Sequence, residues 1–99
     1  MAQVTDEQIE RVRALVASIP PGRVATYGDI ATAAGLSSPR IVGWIMRTDS
    51  ADLPWHRVIT ASGRPARQLA TRQRELLRAE GVLSVAGRIA LAEVRYELP

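Results

Sequence analysis

The 99-residue chain contains no cysteine, no lysine and no phenylalanine, and only one histidine, His56. Without thiols there can be no disulfide, no thiolate metal site and no cysteine nucleophile. A single histidine excludes a multi-histidine metal centre, and no cofactor of any kind is expected. No apolar run approaches the ~20 residues that cross a bilayer, and the first residues lack a basic stretch followed by an apolar one. A cytoplasmic protein with no membrane contact is therefore expected. A chain this short buries only about two-thirds of its unfolded surface, which favours one core and a shallow surface site over an enclosed cavity. Residues 1–99 are accordingly read as a single domain, expected to be monomeric.

Charge is present in one form and in one place. All thirteen basic residues are arginine, the net charge is +3 and the pI is about 10.5. Residues 23–78 hold nine arginines against four acids, a local +5, while each flank is −1. The absence of lysine can reflect genome composition, so only the clustering bears on function, either as a nucleic-acid face or as a solvated surface. A band of guanidinium groups suits a polyanion, since the planar fork matches phosphate oxygens and stacks on bases.

Punctuation along the chain marks the elements. Thr5 and Gln8 have the spacing of a capping box, after which Ile9, Val12, Leu15 and Val16 line one helical face up to Pro20-Pro21-Gly22. Val24-Ala25-Thr26 allows no more than a turn or strand fragment. A second helix is predicted from Tyr27 to Ala34, with Ile30, Ala33 and Ala34 inward and a stop at Gly35. Ser38 as N-cap and Pro39 at the first position open a third helix, burying Ile41, Val42, Ile45 and Met46. Trp44 is assigned to packing. After a polar loop over 49–54, Val58-Ile59-Thr60 reads as a strand and Ser62-Gly63 as a turn. A fourth helix is predicted over 70–80, packing Leu76 and Leu77 and closed by Gly81. Two strands, 82–85 and 89–96, separated by Ala86-Gly87, are predicted to form a terminal hairpin.

Two short helices joined by Gly35-Leu36-Ser37 have the length and turn chemistry of a helix-turn-helix, with the hairpin as its wing. The same pattern also suits a plain αα-hairpin of core helices.

The hexapeptide Pro54-Trp55-His56-Arg57-Val58-Ile59 is more specific. Together with Thr26-Tyr27-Gly28 and Arg40-Ile41-Val42-Gly43 upstream, and with residues 74–82 downstream, it resembles the alkylguanine-DNA alkyltransferases. Those enzymes carry cysteine where Trp55 stands. The tryptophan version is similar to the alkyltransferase-like proteins, which keep the DNA-binding fold without the acceptor cysteine. The resemblance covers roughly residues 5 to 83. It implies an α+β, winged helix-turn-helix-like domain resembling the C-terminal DNA-binding domain of the alkyltransferases.

The resemblance also implies roles. Alkyl transfer requires a nucleophile that accepts carbon, and indole has a donor N–H and no basic lone pair, so no enzymatic activity is expected. Trp55 would instead wall a pocket for O6-alkylguanine rotated out of duplex DNA. Tyr27 would help turn the phosphate, and Arg40 would fill the vacated stack from the start of the third helix, where phosphate is also attracted. In the family this helix-turn-helix lies in the minor groove. Thr26, Ser38, Gly43, Arg57 and Arg64 are further DNA-binding candidates, with Gly43, Ala31, Ala33 and Ala34 allowing close approach. Arg57 either contacts DNA or braces the Trp55 loop. His56 and Glu80 correspond to a pair that activates the absent cysteine, and are read as a structural pair. After Ser62-Gly63 the chain departs from the alkyltransferases. The pocket lid reads Arg64-Pro65-Ala66-Arg67-Gln68-Leu69, and Arg67 is the candidate to face the base, with Arg64 behind it.

The expected function is therefore a non-enzymatic sensor that flips O6-alkylguanine and flags it for nucleotide excision repair proteins. Two rivals stand beside it: a helix-turn-helix transcriptional regulator of undamaged DNA, and a residual hydrolase built on His56 and Glu80.

Overall fold

The computed structural model describes residues 4–65 and 69–99. Helix α1 (Asp6–Ser18) opens on the expected capping box: the Gln8 N–H donates to Thr5 Oγ1 at 3.1 Å and the Thr5 N–H to Gln8 Oε1 at 2.9 Å. Val12, Leu15 and Val16 are buried, and the helix ends at Ile19, ahead of two prolines that cannot continue it. Strand β1 (Ala25–Thr26) leads directly into α2 (Tyr27–Ala34). A second capping box, unforeseen in the sequence, starts α2: Thr26 Oγ1 accepts from the Asp29 N–H, and Asp29 Oδ2 accepts from the Thr26 N–H. Gly35, with φ of 71°, takes the left-handed conformation that closes the helix.

Helix α3 (Pro39–Thr48) begins as expected on Ser38, whose Oγ accepts from the Arg40 N–H at 3.2 Å. Val42 and Ile45 are fully buried. A 3-10 turn (Trp55–Arg57) feeds strand β2 (Val58–Ile59), which pairs parallel to β1 with Ala25 opposite Val58 and Thr26 opposite Ile59. Helix α4 (Ala70–Ala79), strands β3 (Ser84–Val85) and β4 (Arg88–Ile89), and the short helix α5 (Leu91–Val94) complete the chain. None of the helices among the described residues is long and apolar enough to cross a membrane.

The two-stranded β1/β2 ribbon divides the core, because alternate residues of a strand face opposite ways. Ala25 and Val58 join the cluster built by α1, α2 and α3, while Val24 and Ile59 join Leu77, Val82 and Ile89 on the other side. The first cluster carries the helix-turn-helix; the second carries α4 and the hairpin.

Three expectations are corrected. The terminal hairpin exists, turning at Ala86 (φ 53°) and Gly87 (φ 76°), but its second strand stops at Ile89. Leu91 and Val94 share one face of α5 and pack on the second cluster, a helical spacing that the strand reading overlooked. The chain then runs beside Val24, which donates to Val94 O at 2.9 Å and accepts from the Tyr96 N–H at 2.7 Å. Trp44 is not a core residue: it is 44% exposed, opposite Val42 and Ile45. In α4, Leu77 is buried as expected but its companion is polar, Gln73, also fully buried.

Candidate nucleic-acid interface

The Trp55 turn rests on a closed polar cluster. Trp55 is half-buried, its backbone N–H donates to Leu53 O at 2.7 Å, and its ring meets His56 edge-on, with centroids 6.1 Å apart and planes at 87°. Behind it, Glu80 at the end of α4 gathers three residues. Its carboxylate accepts from His56 Nε2 at 2.7 Å, from Arg57 Nη2 at 2.8 Å and Nε at 3.1 Å, and from the Gly22 N–H at 3.0 Å. Partial burial by itself raises the Glu80 carboxyl, but the donors from Arg57, His56 and Gly22 outweigh it and hold it down at about 2. An ionised Glu80 can only accept, so the facing ring nitrogen of His56 carries a proton.

Arg57 is a brace. Its remaining Nη1 donates to Ile19 O at 2.9 Å, and its side chain is 14% exposed. Every donor group that could have turned toward DNA is committed to holding α1, the Trp55 turn and α4 together. Gln73, which sequence reasoning missed, closes the arrangement by donating from Nε2 to His56 O at 2.9 Å and Val58 O at 2.8 Å. One polar residue in the apolar stripe of α4, four positions before Leu77, was the available signal.

The second group of residues faces outward from α2 and α3. Tyr27 is the first residue of α2 and half-buried against the helical core; burial pushes its phenol above the ordinary tyrosine value, with the Arg47 guanidinium acting in the opposite sense. Arg47 also covers Gly43, where an added Cβ would lie 3.4 Å from Nη1. Gly43 therefore opens space for a side chain of its own helix and not for a neighbouring helix. Arg40, Trp44 and Arg47 are exposed and, at spacings of four and three, share the face opposite the buried Val42 and Ile45. Helix α3 has no acidic residue. Asp49 and Asp52 just beyond it are drawn away by Arg13, at 3.2 Å and 2.6 Å. Arg47 was the second omission, and its position seven residues after Arg40 was the signal.

The other candidates fall in different places. Thr26 is 2% exposed, with its hydroxyl engaged as the α2 cap, so it positions Tyr27 and is not itself a surface group. Ser38 is half-buried at the α3 start. Arg64 is exposed just beyond an anchored turn: Gly63 has φ of 81°, a Cβ there would meet Ile89 O at 2.6 Å, and the Ile89 N–H donates to Gly63 O at 2.8 Å. Arg67 lies outside the described residues. A separate groove of about 610 Å³ between α2 and the C-terminal segment, lined by Asp29, Thr32 and Tyr96 among others, includes no residue of the Trp55 turn. Its Asp29 is held below the usual carboxylate range chiefly by Arg95, at 2.6 Å.

The sequence and the fold have known counterparts. Residues 7–82 match the family described as 6-O-methylguanine DNA methyltransferase, DNA binding domain. The chain is 43% identical over 98 residues to the DNA base-flipping protein of Escherichia coli, covering 88% of this chain and 72% of that protein. It is 36% identical over 101 residues to alkyltransferase-like protein 1 of Schizosaccharomyces pombe, covering 95% and 92% respectively. Among solved structures, that of S. pombe Atl1 in complex with damaged DNA containing O6-carboxymethylguanine superposes with a TM-score of 0.82 at 33% identity, covering 95% of this chain and 98% of that one. Mycobacterium tuberculosis OGT in complex with DNA gives 0.67 at 34% identity, with 80% of this chain matching 51% of that one.

Proposed function

Because the chain belongs to the family of the 6-O-methylguanine DNA methyltransferase DNA-binding domain, we propose that it is a non-enzymatic sensor of O6-alkylguanine. It binds duplex DNA through α3, flips the alkylated base against Trp55 and leaves the alkyl group in place. Arg40 occupies the vacated stack and Tyr27 turns the phosphate, with Ser38 and Gly43 at the helix surface. Arg64 and Arg67 belong to the lid over the base. The held complex is then recognised by nucleotide excision repair proteins.

The observation that carries this reading is the composition of the Trp55 turn. The position is held by a closed set of hydrogen bonds, as a reactive group would be, yet it presents an indole in a chain without cysteine. An aromatic face offers stacking on a flipped base, worth ~1 to 3 kcal/mol, and cannot accept an alkyl carbon. His56 and Glu80 have a structural task in the brace whether or not there is anything to activate.

Titration with duplexes containing guanine or O6-methylguanine, followed by mass spectrometry of protein and DNA, tests the proposal. The expected result is tighter binding of the lesion, with both masses unchanged. Equal affinity for the two duplexes would favour a regulator of undamaged DNA, and a restored guanine or an alkylated protein would favour an enzyme.

A further inference from the structure

Four large apolar side chains are exposed among the described residues: Trp44, Leu69, Leu83 and Val85. Of these, Trp44 alone lies between two exposed cations on one helical face, Arg40 four residues before it and Arg47 three after. We propose that Trp44 is a second DNA-contacting residue of α3, whose indole lies against the sugar edges of the groove that receives the helix and adds affinity with or without a lesion. The inference rests on the reading that α3 enters DNA, and it extends that reading to a residue with no place in the flipping step.

The physical case begins with what the indole does not do for the fold. Trp44 is 44% exposed on the face opposite Val42 and Ile45, whose exposure is 0%, so the core does not require it. A tryptophan buries some 150–250 Å² when fully covered, and the 44% of Trp44 that stays exposed leaves part of that apolar area open to a partner. Charge then selects the partner. Neither Arg40 nor Arg47 forms an ion pair with a described residue, α3 has no acid, and the two acids that follow are bound by Arg13. An apolar plate between two unneutralised guanidinium groups complements a polyanion that also presents apolar edges, and the deoxyribose walls of a duplex groove are such a surface. Spacing agrees. Four residues of helix advance about 6 Å, a little under two base steps of ~3.4 Å, so with Arg40 at the vacated stack Trp44 meets sugars flanking it.

Two readouts test this. Trp44→Gln and Trp44→Phe are titrated with guanine and O6-methylguanine duplexes over a range of salt, beside Arg47→Gln. Separately, Trp44 is left as the sole tryptophan by Trp55→Phe, and its emission is followed as unmodified duplex is added. Trp44→Gln should lose about 10-fold in affinity for both duplexes, and Trp44→Phe should recover most of it. The salt slope should be unchanged, since an indole releases no counterions, whereas Arg47→Gln should lower it by about one contact. The Trp44 emission should shift or quench on binding. Wild-type affinity in Trp44→Gln, or a Trp44 emission indifferent to saturating DNA, would overturn the proposal. So would a concentration-dependent dimer of the free protein that Trp44→Gln abolishes, since a second copy would then cover the ring. If wild type shows no lesion preference while the Trp44 effects hold, the sensor reading fails and the Trp44 contact stands.

Discussion

The Trp55 turn and the outer face of α3 use the same kind of residue in opposite ways. At the turn, Arg57 is 14% exposed and its donors are satisfied by Glu80 and the Ile19 carbonyl. On α3, Arg40 and Arg47 stand exposed, with no ionic partner among the described residues. The difference follows from solvation. A partly buried guanidinium must be paired or it destabilises the fold, while an exposed one is already solvated and can be left for a ligand. Sequence motifs alone do not separate these cases, because Arg57 and Arg40 both belong to conspicuous motifs. Burial does: the turn is scaffold, and the helix face is where a polyanion can bind.

The largest effect is expected from breaking the scaffold. Glu80→Gln removes the charge that opposes Arg57 and one acceptor of the cluster, and should cost about 2 to 3 kcal/mol, a fall in Tm on the order of 10 °C. The sign with pH is fixed by the direction of the shift. A carboxyl lowered from 4.5 to about 2 by folding stabilises fully above the higher value and progressively less as pH falls toward the lower. Wild type should therefore lose Tm more steeply than Glu80→Gln between these limits. Parallel curves would show that the cluster is not the source.

Changes on α3 should spare the fold. Arg40→Ala is expected to leave Tm within a degree or two and to weaken binding of the O6-methylguanine duplex by ~1 to 3 kcal/mol, with a smaller loss on guanine. Equal losses on both, with a reduced salt slope, would reduce Arg40 to a phosphate contact. The smallest and most discriminating change is Gly43→Ala. Alanine favours a helix interior by up to ~1 kcal/mol, and its Cβ meets only the flexible end of Arg47, at 3.4 Å. Thermal stability should hold or rise slightly while DNA affinity drops a few-fold, because the displaced guanidinium and the added methyl both disturb the binding face. A loss of stability matching the loss of affinity would place Gly43 in the scaffold instead.

Much of this was legible in the sequence where the determinant is local. Thr5, Ser38, Pro39 and Gly35 start and stop helices by chemistry that acts within one turn, and α1 to α3 appear where those residues place them. What failed was non-local or depended on direction. Nothing near Arg57 states whether it reaches outward or inward; that is decided by Glu80, 23 residues away. Trp44 belongs to no motif and by default reads as packing, although its angle around α3 points away from Val42. The turn residues Ala86-Gly87 suggest a hairpin whose second strand runs on past Ile89, yet the interval between Leu91 and Val94 fits one turn of helix.

The Gly22–Glu80 bond closes a span of 58 residues, and β1 meets β2 across 33 between Ala25 and Val58. The α1–α2 and α2–α3 contacts join helices adjacent in sequence and carry a smaller entropic cost. Assembly should thus begin with the helical trio and end with the latch over the Trp55 turn, whose interactions are then absent at the barrier. The cost of Glu80→Gln should accordingly appear as faster unfolding and not as slower folding, which a chevron of the variant would display. The same order run backward makes the proposed lesion pocket the first part of the molecule to open, while the helices that carry it to DNA remain folded.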